Sequence, residues 1–246
     1  MLDVFATPGL IWVVAATFAA GLVYGFTGFG AALIYLPVAT AFIAPPLAIG
    51  AFAVSALASL VTLVPSAWKE ADKPHTLLMI GSAILFAPLG IWILRVSDTE
   101  VIRWILSAIV LMTLALLISG WRYHTMPTKP ARAGVGAAAG VMMGSVGLNG
   151  PLVILFQLGG QDTITRSRAN TLVFLTLSSL SLVPLMAWQG LIGWPAIILG
   201  LGLLLPYALG TMAGRALFDP SRETFYRRAA YAFVAAAVVI GLPVWR

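Results

Sequence analysis

The sequence predicts an all-α polytopic membrane protein made of two inverted repeats of about five helical segments each, with short or broken helices at two glycine-rich motifs. Three observations predict it. Hydrophobic residues make up 61% of the 246-residue chain and charged residues 9%, where a soluble domain carries about 25% charged residues. No Asp, Glu, Lys or Arg falls within 4–68, 133–161 or 169–214, and each interval is long enough for at least one span of about 20 apolar residues. At an offset of 119 residues, Gly21, Gly25 and Gly28 fall on Gly140, Gly144 and Gly147, Leu33 and Leu36 on Leu152 and Leu155, Pro65 on Pro184, and Gly81 on Gly200. Glycines recurring at one spacing, with a proline in register, mark an internal repeat.

Hydropathy and helix breakers give ten apolar segments. The first, 10–24, is preceded by a single charge, Asp3; it lacks the basic leader of a signal peptide and reads as a span. Segment 31–43 is too short for a simple span, whereas 47–68, 76–94 and 101–119 are each long enough. Segment 133–146 is marginal, as 10–24 is, and 151–158 is short; 171–188, 194–212 and 229–244 complete the set. A helix rises about 1.5 Å per residue against a core about 30 Å thick, so the four deficient segments are those that flank the glycine-rich breaks. Trp12, Trp104 and Trp194 lie near segment starts, and Trp68, Trp92, Trp121, Trp188 and Trp245 near segment ends, where indoles meet the membrane–water interface.

Five segments per half is an odd number, so the two halves run in opposite directions across the membrane. With every segment crossing or returning, eleven of the fourteen Lys and Arg residues share one side, leaving only Arg95, Arg103 and Arg246 on the other. The positive-inside rule makes the first side cytoplasmic and puts both termini outside. Merging each short pair into one span leaves 8 against 6, hardly a bias. Matching loops agree: the turn after Trp68 carries Lys69 and Lys73 while its counterpart, 189–193, carries no charge, and the Ala44–Pro45 turn is uncharged while its counterpart holds Arg166 and Arg168. Parity does not separate a pair of short spans from a re-entrant hairpin. The predicted organisation is a first repeat over 1–122, a cytoplasmic linker over 123–132 and a second repeat over 133–246.

Several chemistries are excluded. The net charge of +6 comes without a basic run or basic–aromatic stripe, so it fixes topology rather than binding nucleic acid. The glycine-rich stretch has no acidic residue before Glu70 and no following lysine of a phosphate loop, so it does not read as a nucleotide site. There is no cysteine, hence no disulfide and no thiolate metal site. No Asp or Glu sits within a segment, and His75 and His124 lie in loops. The sequence therefore offers no catalytic residue, metal site or cofactor, and a non-enzyme is expected.

Gly21 and Gly25, like Gly140 and Gly144, have the spacing of close helix–helix contact. Beyond them, "FTGFGAAL" and "SVGLNGPL" place broken backbone between two short apolar segments. Such backbone at membrane depth is buried in protein or lines a watery cavity, and the helix N-termini that follow offer free N–H groups and a positive dipole end suited to an anion. Proline is tolerated in the first helical turn, so the second helix is expected to start at Gly150–Pro151 and the first at Ala31–Ala32, with Asn149 as N-cap or ligand donor. The candidate substrate-binding residues are Thr27, Gly28, Phe29 and Gly30 in one break and Gly147, Leu148, Asn149 and Gly150 in the other, with Gln157 nearby. Arg168 and Asn170 stand at the start of the eighth segment, where Arg168 either attracts substrate or anchors the helix. Phe29 and Phe156 serve as gates or as packing. Ser55, Ser59, Thr176, Ser178 and Ser179 either reach the cavity or bond to their own helix backbone. The expected partners are the lipid bilayer and a small anionic substrate, carried by alternating access, and there is room for a homodimer. An anion channel through the same breaks and a membrane scaffold are the rival readings.

"GFTGFGAALIYLP" resembles the first signature of the sulfite exporter TauE/SafE family, and "GSVGLNGPLVILF", followed by "RSRANTLVFL", resembles the second. Gly25, Gly28 and Gly30 match the first motif, and Gly144, Gly147 and Gly150 the second. Ala31–Ala32 stand where many relatives have further glycine. The resemblance spans nearly the whole chain and its duplicated layout. It implies a multi-pass carrier of the bacterial inner membrane for small sulfur-containing or organic anions, such as sulfite or the sulfonate sulfoacetate, usually in the direction of export.

Overall fold

The computed structural model describes residues 8–120, 128–158, 162–217 and 223–242. Asp3, Trp121, Arg122, His124, Arg222, Trp245 and Arg246, used above for topology, lie outside the described residues. The described elements are all helices: α1 (Leu10–Thr27), α2 (Ala31–Phe42), α3 (Pro45–Ser55), α4 (Ala58–Thr62), α5 (Val64–Glu70), α6 (Lys73–Val96), α7 (Thr99–Ile118), α8 (Lys129–Val146), α9 (Gly150–Leu158), α10 (Ile164–Trp188), α11 (Trp194–Ala216) and α12 (Glu223–Gly241). Among the described residues, six stretches are long and apolar enough to cross a membrane: α1, Pro45–Thr62, α6, α7, Thr165–Trp188 and α11. Trp12, Leu85, Trp188 and Trp194 are exposed on the outside of the bundle, an arrangement that lipid rather than water accommodates. The chain is a multi-pass membrane protein.

The predicted segments reappear with shifted bounds, and three of the differences have a local cause. Segment 47–68 is divided into α3, α4 and α5, and Pro65 in the first turn of α5 has no N–H with which to continue the preceding helix. α8 starts at Lys129 because the Thr128 hydroxyl accepts the Ala131 N–H and Pro130 occupies the first turn. α10 starts at Ile164, where the Thr163 hydroxyl accepts the Arg166 N–H. These caps extend both helices back through basic residues that an apolar window leaves out.

The bundle is held by two helix pairs, each joining the first half of the chain to the second. Gly21 packs against Tyr207 and Gly210 and Gly25 against Thr211 and Gly214, so α1 runs parallel to α11. Gly136, Gly140 and Gly144 pack against Met79, Ala83 and Ala87, so α8 runs parallel to α6. A methyl group at Gly140 would overlap the Ala83 carbonyl oxygen, and one at Gly214 the Leu22 carbonyl. In lipid, helices associate through such close packing rather than through hydrophobic burial. This explains why α8, rich in glycine and alanine, takes its place without being strongly apolar. Gly9, before α1, lies against the ring of Phe42 at the end of α2. The first short pair is therefore a hairpin whose two ends meet, not one continuous span.

Candidate functional site

Both breaks are built alike. Gly28 ends α1 at φ 82° with its N–H on the Tyr24 carbonyl, and Gly147 ends α8 at φ 77° with its N–H on the Met143 carbonyl. This left-handed conformation suits glycine, which has no Cβ to clash. A new helix begins three residues later in each half, at Ala31 and at Gly150. Thr27 stiffens the first break: its hydroxyl donates to the Val23 and Phe29 carbonyls, both at 2.7 Å, and accepts the Phe29 N–H at 3.1 Å.

A cavity of about 30 Å³ lies between the two breaks, enough for a water or two. Gly30, Ala31 and Ala32 line it from the first half, and their counterparts at the 119-residue offset, Asn149, Gly150 and Pro151, line it from the second. Ala56 and its counterpart Leu175 form a further matched pair in the wall. The first turn of α2 follows Gly30 without a side-chain cap, so its N–H groups end on the cavity side with no partner inside the helix. Among the described residues no charged side chain lines the cavity; its polar groups are Tyr24, Ser59, Asn149, Thr176, Ser179 and Tyr207.

Hydrogen bonds hold this polar set in place. The Asn149 amide nitrogen donates to the Leu175 carbonyl at 3.1 Å and to the Ser178 and Ser179 hydroxyls at 2.9 and 3.0 Å, fastening the second break to α10. The Tyr24 hydroxyl lies 3.0 Å from the Thr176 hydroxyl, and Ser59 reaches the Tyr207 hydroxyl at 3.5 Å. Both of the latter contacts join the first half of the chain to the second. The rings of Tyr207 and Phe52 meet edge to face, 5.9 Å between centroids.

The structure thus brings Gly30, Leu148, Asn149 and Gly150 together on one cavity. Thr27, Gly28, Phe29 and Gly147 shape the breaks without lining it. Gln157 is buried farther along α9, where its backbone carbonyl accepts the Ser167 hydroxyl at 3.3 Å. Arg168 is two turns before Thr176 on α10; its guanidinium donates to the Gly25 carbonyl at 2.8 Å and its stem packs against Gly28. A cation at the last carbonyls of α1 also meets the negative end of that helix. Asn170 is a brace: its carbonyl oxygen accepts the Asp72 N–H at 2.7 Å and the Thr76 hydroxyl at 3.3 Å, and its amide donates to Asp162 at 3.4 Å. Burial pushes the Asp72 carboxyl up, but its hydrogen bond to His75, the charge of His75 and that of Arg132 together hold it below the ordinary carboxylate range.

Tyr24, Phe52 and Tyr207 were not singled out for the site from sequence. For Tyr24, its position one turn before Gly28 is the signal that could have found it. Tyr207 carries a weaker one: a tyrosine inside an apolar span needs a partner for its hydroxyl.

Among known proteins, the family model described as sulfite exporter TauE/SafE matches residues 13–241. No curated protein and no solved structure matches the chain. The match covers both breaks, both parallel helix pairs and the cavity between the halves, and the chain belongs to the sulfite exporter TauE/SafE family of membrane transporters.

Proposed function

We propose that this transporter is an alternating-access carrier of small sulfur–oxygen anions, sulfite or a short sulfonate such as sulfoacetate, which exports them across the bacterial inner membrane. The observation that carries this reading is a cavity without a charged side chain among the described residues, bordered at matched positions by both glycine-rich breaks. The starts of α2 and α9 bring the positive ends of two helix dipoles to it, and hydroxyl and amide groups surround it. Without a carboxylate in the wall, the site favours an anion over a cation. The two halves, 1–122 and 133–246, act as inverted repeats, consistent with the exchanged pairing of α1 with α11 and α8 with α6. Both termini are periplasmic. Rocking one half against the other breaks the Tyr24–Thr176, Ser59–Tyr207 and Arg168–Gly25 contacts and slides α1 on α11 and α6 on α8, so these hydrogen bonds and the glycine-packed pairs together set the barrier between conformations.

Purified protein in liposomes, tested with sulfite, sulfate, thiosulfate and small sulfonates, checks the proposal. Saturable flux with counterflow of at least one sulfur–oxygen anion is expected. Flux that never saturates would make the chain a channel, and a panel in which only cations or neutral solutes cross would remove the anion site.

A further inference from the structure

We infer that the hydroxyl of Tyr35 is a second donor to the transported anion, used in the opposite-facing conformation, when Phe52 withdraws from the cavity wall. The inference rests on the inverted-repeat carrier proposed above. Tyr35 is one turn beyond Ala31 on α2, and residues four apart share a helix face; Ala31 lines the cavity. Tyr35 is fully buried, and its ring stacks on Phe52 with 4.9 Å between centroids. Phe52 lines the cavity, and Tyr35, stacked on it, does not. The Tyr35 hydroxyl has no hydrogen-bond partner among the described residues. A buried hydroxyl left in this way costs stability, and phenylalanine would fill nearly the same space without that cost. The hydroxyl therefore calls for a partner that this conformation does not supply.

The second half of the chain shows where that partner lies. At the 119-residue offset the counterpart of Tyr35 is Ile154, one turn beyond Gly150 on α9, and Ile154 lines the cavity. The same position thus faces the cavity in one half and is screened by Phe52 in the other. Inverted repeats that alternate between two conformations exchange such differences when the transporter turns over. In the opposite-facing state Ile154 is screened and Tyr35 takes a place on the cavity, bringing its hydroxyl to the anion.

Tyr35→Phe tests this with two readouts, sulfite flux in proteoliposomes and thermal unfolding. The expected result is a melting temperature no lower than that of the unsubstituted protein together with a roughly tenfold loss of flux, the scale of one hydrogen bond to a charged ligand. Full flux in the variant would overturn the inference and leave the carrier reading standing. A lower melting temperature with a parallel loss of flux would also overturn it, because the hydroxyl would then be holding the fold. Failure of the unsubstituted protein to move sulfite or any other anion of the panel would instead overturn the carrier reading itself, and the role of Tyr35 with it.

Discussion

Asn149 shows what one side chain does at this site. It occupies the last position before α9, and its amide spans to three acceptors on α10. The corresponding residue in the first half is Gly30, at φ 90°, which adds no side chain. Asn149→Ala removes the amide donor while Ser178 keeps its own bond to the Phe174 carbonyl at 2.6 Å. The variant is expected to fold, to lose about 1–2 kcal/mol of stability in a thermal unfolding series, and to lose at least about tenfold in sulfite flux. Unchanged flux in a folded variant would withdraw Asn149 from the site. That this amide would be buried and bonded was legible in the sequence, because an amide between two glycines in an apolar region is costly unless bonded. The parts played by Tyr24 and Phe52 were not, because their neighbours Thr176 and Tyr207 come from the other half of the chain.

At the scale of elements, the glycine stripes matter most. Gly136, Gly140 and Gly144 let α8 lie directly on the backbone of α6, as Gly21 and Gly25 do for α1 on α11. Gly140→Leu would drive a side chain into the Ala83 backbone and separate the pair. Overpacking of this kind costs about 1–3 kcal/mol or more, so the variant should melt well below the unsubstituted protein in detergent. Equal melting temperatures would show that α6 and α8 have room to part. The spacing of these glycines predicts close contact, but not the partner: in both pairs the other helix lies in the opposite half. The helix starts divide in the same way. Ala31 and Gly150 follow from the glycine breaks and from Pro151, whereas the starts of α8 and α10 depend on Thr128 and Thr163, caps that lie outside the apolar windows.

For the whole molecule, the distribution of basic residues makes a topological claim that the fold leaves open. If the basic-rich side is cytoplasmic, a cysteine replacing Glu70 is labelled only from the cytoplasmic side by a membrane-impermeant thiol reagent, and one replacing Asp98 only from the outside. The natural chain has no cysteine, so each variant carries a single reporter. Labelling of the residue 70 cysteine from the outside and of the residue 98 cysteine from the cytoplasm would overturn the assigned orientation.

The sequence by itself determined the membrane class, the recurrence of the glycine pattern and the position of both breaks. These follow from local causes: runs of apolar residues without charge, glycines that accept a left-handed turn, and a proline whose missing N–H suits the first turn of a helix. The tertiary structure alone decided that the two breaks share one cavity, that Arg168 and Asn170 brace neighbouring helices instead of lining it, and that Tyr35 stands hidden where Ile154 is open. The shared cavity and the two braces depend on contacts between residues about a hundred or more positions apart, and Tyr35 is hidden by Phe52 of the neighbouring helix α3. Helix periodicity orients a side chain on its own helix, but which helix it meets is settled only when the halves pack.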